Sequence, residues 1–186
     1  MKAVLFALAA ACCLSTAPAS AAQWTVDSAK SHLGFTVNWS NEPFSGTFTA
    51  WKADIAFDPA DLAHSKASVS INLGSEKSQE AEFDDGLKGA LGFQVSKFPT
   101  AVFETQTITH KDGDNYVAAG TLSLHGVTKP IMLPFTLTIE GGRAHMVGTA
   151  TVVRTDFGIG TGMWAPPTPV AHEVKVNIDL VAVRSP

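Results

Sequence analysis

Cysteine is nearly absent from this chain: it has only Cys12 and Cys13, both within the first 13 residues. They lie in a segment that begins with Lys2, continues as the apolar run Ala3–Leu14 and reaches the small residues Ala19-Ser20-Ala21. A basic start, a short apolar core and an Ala-x-Ala site are typical of a secretory signal peptide. We expect this segment to be removed, which leaves an exported domain without cysteine. Such a domain is held together by core packing and not by disulfides.

Cleavage is expected after Ala21 or Ala22. The predicted division is a signal peptide at residues 1–21 and a single domain at residues 22–186. About 165 residues is an ordinary size for one domain. Export predicts a periplasmic location. The alternative is a lipoprotein acylated at Cys12, which the short apolar run ahead of that residue disfavours.

Long apolar runs and basic clusters are also lacking. Beyond the first segment, no stretch reaches the 18 apolar residues that predict a transmembrane helix. Loss of Lys2 from 13 basic residues leaves 12 against 17 acidic ones, a formal charge of −5. Without a basic cluster, nucleic acid is not an expected partner. We expect a soluble mature protein.

Sequence motifs for catalysis and metal binding are missing as well. The histidines show neither HExxH nor HxH spacing, and no CxxCH motif for covalent haem occurs. There is no GxSxG elbow and no paired-carboxylate motif. We therefore predict a protein that is not an enzyme and has neither a metal nor a covalent cofactor. The alternative is a metal site assembled from distant strands by some of the six histidines, which are His32, His64, His110, His125, His145 and His172.

What the sequence does contain is apolar–polar alternation, the period-2 pattern of half-buried strands. About eight such runs follow one another with short connections, which predicts an all-β antiparallel barrel or sandwich. A barrel of eight strands is wide enough to hold one slim ligand. The predicted strands are Leu33–Ser40, Phe44–Asp58, Ala67–Leu73, Thr100–Ile108, Tyr116–Leu124, Ile131–Glu140, Ala144–Arg154 and Glu173–Val183.

Two places interrupt this regular pattern. The apolar positions of Phe44–Asp58 change register after Phe48, which predicts a bulge near Thr49–Ala50. Gly74–Lys97 shows no strand pattern and predicts one short helix, around Phe83 to Leu87, in a long irregular connection. A connection of this length inside a compact domain is usually functional or mobile.

Four motifs spaced along the chain carry a resemblance to a known family. They are Trp24–Phe35, Phe98–Thr100, the hairpin Gly120–Pro134 with its predicted connection His125–Pro130, and Arg154–Ile159. Together they resemble the YceI-like family of periplasmic, lipocalin-like barrels that bind polyisoprenoid lipids. The resemblance implies an eight-stranded antiparallel lipocalin-like barrel with an elongated apolar interior.

The resemblance also implies the ligand, an isoprenoid quinone or a polyprenyl lipid held inside the barrel. A transient contact with a membrane or with a membrane redox protein is an expected partnership, and the oligomeric state stays open between monomer and homodimer. Two alternative functions remain: an accessory to a cytochrome b-type redox system, and a stress-response barrel with a filled interior. The predicted lining is Phe35, Val37, Trp39, Phe48, Phe103, Leu122, Leu133 and Phe135.

Some residues of the family motifs are expected to have structural roles. We expect His32 and His125 to make hydrogen bonds that support the fold. Arg154 and Asp156 are expected to form an ion pair near the barrel rim, with a contact to the ligand as the alternative.

Overall fold

The structure is a computed structural model that describes residues 21–186. The predicted signal peptide, up to residue 20, and Cys12 lie outside the described residues.

Antiparallel strands dominate the described part of the chain, which has eleven strands and one α-helix, α1, at Ala81–Lys88. Short 3-10 turns occupy Leu62–His64, Leu73–Ser75, Arg154–Phe157 and Gly162–Trp164. The strands are β1 (Gln23–Val26), β2 (His32–Trp39), β3 (Glu42–Phe48), β4 (Trp51–Ala56), β5 (Lys66–Asn72), β6 (Glu76–Lys77), β7 (Thr100–His110), β8 (Asn115–Leu124), β9 (Val127–Glu140), β10 (Arg143–Val153) and β11 (Val170–Arg184).

These strands form one closed sheet of eight wall positions. At three of these positions, two consecutive short strands follow each other along the barrel axis: β1 and β2, β3 and β4, and β5 and β6. The two strands of such a position pair with the same neighbouring positions, but at different levels along the axis. The ring closes where β1 pairs with the end of β11, with Trp24 opposite Arg184 and Val26 opposite Ala182. The predicted eight-stranded antiparallel barrel with one short helix is confirmed.

At the site of the predicted bulge, the structure has a break between β3 and β4, at residues 49 and 50. β3 ends at Phe48 and β4 begins at Trp51, and both side chains line the cavity. In an uninterrupted strand, residues three positions apart would point to opposite faces. An extra residue in a strand lets it bend while keeping its apolar side chains toward the core.

The hairpin between β8 and β9 differs from the predicted six-residue connection. It is a tight turn of two residues, His125 and Gly126, whose φ angles are 52° and 77°. Two successive positive φ angles suit a type I′ turn, which matches the twist of antiparallel strands. Pro130, predicted to lie in the connection, is paired with Thr121 inside the ladder. β9 pairs with β10 only from Phe135 onward, so the side of Pro130 that lacks an N–H meets no neighbouring strand.

The two ends of the barrel differ in how they are covered. At one end, which we call the helix end, lie α1, the segment 73–99 and the segment 154–169. At the opposite end, which we call the aromatic end, Trp24 donates from Nε1 to the carbonyl of Phe57 at 2.9 Å. The Tyr116 ring packs edge-on against Phe57 at 5.8 Å and stacks on Phe135 at 5.4 Å between ring centroids. Aromatic side chains therefore fill the aromatic end, whereas α1 has no fully buried residue.

Candidate binding cavity

The barrel encloses a cavity of about 280 Å³ whose accessible wall is entirely apolar. All eight wall positions contribute side chains to it, because strand side chains alternate between the inner and outer faces. The cavity contacts residues of both apolar clusters that make up the core, one toward each end of the barrel. The interior is thus a hollow apolar space and not a fully packed core.

Seven of the eight predicted lining residues lie on the cavity wall. They are Phe35, Val37, Phe48, Phe103, Leu122, Leu133 and Phe135. That these residues contact a lipid stays a prediction.

Trp39 is the exception, because it does not lie on the cavity wall, and its contact with a lipid also stays a prediction. It is the last residue of β2 and lies half-buried at the helix end, beyond the cavity wall. Its ring packs edge-on against Phe83 of α1 at 4.6 Å and against Trp164 at 5.1 Å. The apolar–polar alternation of β2 places Trp39 on the inner face. The end of β2, however, is covered by α1 and by the 3-10 turn at Gly162–Trp164, and Trp39 packs between these two segments.

Part of the cavity wall lies outside the predicted lining. Trp24 and Trp51 line the cavity, as do Leu87 at the end of α1 and Phe93 in the following loop. The alternation in β4 and β11 marked their inward residues as apolar, and this signal could have identified Trp51. Leu87 and Phe93 lie in a segment without strand periodicity, so no pattern assigned them to the cavity.

Arg154 borders the cavity at the helix end, where it is buried at 5% exposure. Its Nε donates to the carbonyl of Ala171, and its two Nη atoms donate to five further carbonyls at 2.6–3.2 Å. Those five carbonyls belong to Ile159, Gly160, Trp164, Pro166 and Val170.

The expected ion pair between Arg154 and Asp156 is therefore wrong. Backbone carbonyls take up all the donors of the guanidinium, and no carboxylate among residues 21–186 lies within ion-pair distance of it. Burial lowers the pKa of Arg154 from its usual value, because a charged guanidinium is less stable away from water. Arg154 fastens the segment 159–171 to the end of β10.

A buried carboxyl group lies at the same end of the barrel. Glu76 is completely buried, and neither of its oxygens has a hydrogen-bond donor among the described residues. The nearest cation is Lys88 of α1, with its Nζ 4.0 Å from Oε2, too far for a hydrogen bond. Burial and the neighbouring Asp84 raise the pKa of Glu76 to about 7, and Lys88 opposes that change.

Three of the four family motifs meet beside the helix end. His125 donates from Nδ1 to the carbonyl of Phe157 at 2.9 Å, which confirms its expected structural hydrogen bond. The ring of Phe98 packs edge-on against His125 at 4.6 Å between centroids. A Cβ on Gly126 would lie 2.8 Å from that ring, so only glycine fits this turn position. His32, in contrast, is exposed and has no side-chain hydrogen bond to the rest of residues 21–186.

No described helix is long and apolar enough to cross a membrane. In residues 21–186, no group of three or more His, Cys, Asp or Glu side chains is placed to hold a metal ion.

The ring of eight strands and its hollow apolar interior define a lipocalin-like barrel, the architecture of small-ligand binding proteins. Comparison with known proteins narrows this class. The YceI-like domain family matches residues 24–182, and the chain belongs to that family.

Individual relatives support the assignment. A UPF0312 protein of Shewanella baltica is 31% identical over 98% of this chain and 98% of its own length. The crystal structure of BcnA from Burkholderia cenocepacia is similar with a TM-score of 0.83 and 30% identity, over 86% of this chain and all of BcnA. A polyisoprenoid-binding domain from Saccharophagus degradans, implicated in plant cell wall breakdown, shares the fold with a TM-score of 0.69 at 15% identity, over 88% of this chain and 99% of that domain.

Proposed function

We propose that the protein is a periplasmic binding protein that carries an isoprenoid lipid or an isoprenoid quinone in its barrel. The observation that supports this most strongly is the cavity, which is enclosed by the barrel and lined by apolar atoms alone. A polyisoprenoid-binding domain with the same fold is consistent with this ligand class. The predicted signal peptide is the basis for the periplasmic location.

The energetics of burial favour such a ligand. Each five-carbon isoprenoid unit that leaves water contributes roughly 3–4 kcal/mol, at about 0.8 kcal/mol for each buried CH₂ group. Ordering the flexible chain offsets part of this gain. A carrier of this type needs no catalytic group, which is why we propose a binding protein and not an enzyme.

The polar groups beside the cavity do not oppose an apolar guest. Arg154 donates all its N–H groups to carbonyls, and Thr105 exchanges hydrogen bonds with the backbone of Ala67 at 2.8 and 3.2 Å. A polar group whose hydrogen bonds are satisfied locally does not have to be dehydrated further when a lipid enters.

The helix end is the proposed entrance. Aromatic packing fills the other end, whereas here Met163 is 76% exposed and Leu91 is 45% exposed. A hydrogen bond from the Gly160 N–H to the Leu91 carbonyl joins the two segments that carry these side chains. We propose that this exposed apolar rim contacts the membrane surface when the lipid is taken up or delivered.

Tryptophan fluorescence tests the proposed binding site directly, because Trp24 and Trp51 lie on the cavity wall. Titration with a ubiquinone that has a short isoprenoid tail should quench this fluorescence to saturation at one ligand per barrel. Ala150→Phe places a ring into the cavity from β10 and should weaken binding at least tenfold. Val147→Phe, on the outer face of the same strand, is the matched control and should leave the affinity unchanged. Absence of saturable quenching, or equal affinities for the two variants, would contradict the proposal.

A further inference from the structure

The completely buried carboxyl of Glu76 needs an explanation, because both of its oxygens lack a donor among residues 21–186. A buried polar atom without a partner costs about 1–3 kcal/mol, and native proteins contain few of them. Lys88 compensates part of the charge at 4.0 Å but does not complete a hydrogen bond. The carboxyl is thus a buried acceptor that no donor among the described residues uses.

The position of Glu76 points this carboxyl toward the barrel interior. In the pairing of β3 with β6, Glu76 lies directly opposite Phe48, and paired residues of antiparallel strands project from the same face. Phe48 lines the cavity, so Glu76 is on the inner face of the wall at the helix end.

The missing side chain of Gly46 provides the space for the carboxyl. A Cβ built on Gly46 would lie 2.5 Å from the Phe35 ring and 2.8 Å from Oε1 of Glu76. The carboxyl and the Phe35 ring thus share the space above Gly46, and Phe35 itself lines the cavity.

We propose that Glu76 binds the polar end of the ligand and that the ligand is an isoprenoid with a hydroxyl group, such as a prenyl alcohol or a hydroquinone. The hydroxyl donates to Glu76 and accepts from Lys88, whose Nζ lies 4.0 Å from Oε2, while the isoprenoid chain extends from the helix end into the cavity. This inference rests on the proposed function, because it assigns the headgroup of a ligand that the cavity is proposed to hold.

The charged groups around Glu76 support a hydroxyl over an anionic headgroup. α1 presents Asp84 and Lys88 toward the carboxyl, with opposite effects on its ionisation. The strands β2 and β3 present Phe35 and Gly46, which carry no charge. A phosphate would be repelled by the carboxylates of Glu76 and Asp84 and attracted only by Lys88. A neutral hydroxyl finds an acceptor in Glu76 and a donor in Lys88.

The test compares geranylgeraniol with its methyl ether, which has the same chain but no donor. The wild-type protein should bind the alcohol at least tenfold more tightly, since a hydrogen bond to a charged group contributes about 1.5–3 kcal/mol. Glu76→Met should bind both compounds with the same affinity, and Glu82→Gln, at an exposed acid of α1, should keep the wild-type preference.

A pH series adds a second, independent readout should Glu76→Met fail to fold. The preference of the wild type for the alcohol should increase as the pH rises through about 7, where the carboxyl becomes a pure acceptor. Glu76→Gln should show a preference that does not change with pH.

The outcomes separate this inference from the proposed function. Failure of the wild type to bind either compound would contradict the proposed function itself. Equal affinities of the wild type for the two compounds, or a preference retained in Glu76→Met, would overturn the role of Glu76 alone and indicate a buried water as its partner.

Discussion

Gly120 shows at the residue scale how a missing side chain positions two strands. It lies opposite Thr105, where the register of β7 against β8 shifts, and a Cβ built on it would be 2.2 Å from the carbonyl oxygen of Glu104. A methyl group at this distance forces the backbone to move. The close approach of the two strands at the irregularity therefore requires glycine.

Gly120→Ala should lower the free energy of unfolding by about 1–3 kcal/mol, because the added methyl overpacks against the backbone of β7. Urea denaturation measures the effect. Gly86→Ala in α1 is the matched control, since nothing lies within 4 Å of its Cβ. Alanine is favoured over glycine in helices by about 1 kcal/mol, so this control should be neutral or stabilising. Equal effects of the two substitutions would contradict the account.

Glu76 should make the stability of the unliganded protein depend on pH. Its pKa is raised from 4.5 to about 7 in the folded state, so between these values the unfolded chain has lost a proton that the folded protein keeps. Stability should fall as the pH rises through this window, by roughly 3 kcal/mol in total, and Glu76 should add no further change above it.

Urea midpoints from pH 4 to 8 for the wild type and Glu76→Gln measure this contribution. The difference between the two curves isolates Glu76 from other carboxyls such as Asp84, whose pKa is lowered. As the pH rises from 4.5 to about 7, the urea midpoint of the wild type should fall relative to that of Glu76→Gln. Parallel curves would show that Glu76 is not the group responsible.

Individual side chains were predictable where a strand pattern specified them. Alternation along β2 placed Phe35 and Val37 inward, and both line the cavity. The same alternation failed for Trp39, because the pattern does not contain the position of α1 that covers the strand end. Glu76 gave no signal at all, since a glutamate in an acidic, irregular segment is ordinarily exposed.

At the scale of elements, Arg154 connects the end of β10 to the segment that precedes and begins β11. Six carbonyl oxygens accept from one guanidinium, so the segment 159–171 has an anchor without a strand or helix of its own over most of its length. Lysine could donate to three of these carbonyls at most.

Arg154→Lys should therefore lower the free energy of unfolding by about 2–4 kcal/mol, because buried carbonyls lose their donors. It should also expose residues 160–169 to protease cleavage at concentrations that leave the wild type intact. Arg143→Lys, at the exposed first residue of β10, is the control and should change neither property. Resistance of Arg154→Lys to cleavage in this segment would contradict the role of Arg154 as its anchor.

Most elements could be predicted because each strand has one apolar face. The exceptions are instructive: β1 is only four residues long, and the β8–β9 turn was predicted too long. Pro130 suggested a break, yet the strand continues past it because β10 is not paired with β9 at this height. Which edge of a strand is free depends on the whole sheet, and local sequence does not contain that information.

At the scale of the whole molecule, the barrel places an exposed apolar rim at one end of an apolar cavity. Met163 at the helix end and Met132 on the barrel wall are both exposed methionines, at 76% and 58%. Only the first lies beside the proposed entrance. The net charge of −4 gives no general attraction to anionic membranes, so the proposed membrane contact of the rim depends on its apolar side chains.

Met163→Glu should slow uptake of an isoprenoid from phosphatidylcholine vesicles severalfold, because a charged side chain does not enter the membrane interface readily. The affinity for the same ligand in detergent micelles should not change. Met132→Glu is the control, because Met132 is an exposed methionine away from the helix end. This variant should take up lipid at the wild-type rate. A similar slowing by both substitutions would contradict an entrance at the helix end.

The closed barrel was predictable as a fold, because eight alternating runs with short connections favour it. Its hollow interior was not derivable from alternation, since inward apolar side chains can equally fill a small barrel. Whether Phe103 and Leu122 meet across the axis or leave space depends on barrel dimensions. Those dimensions follow from the register and from the interrupted wall positions.

Native mass spectrometry of the protein, recovered from its native host, tests the central claim most directly. Organic extraction of the same sample identifies any bound lipid. The account predicts an apolar adduct at one molecule per barrel, with a hydroxyl-bearing isoprenoid in the extract, and loss of the adduct in Ala150→Phe but not in Val147→Phe. A protein recovered without an adduct, which also fails to take up added prenyl alcohol or ubiquinone, would contradict the carrier function.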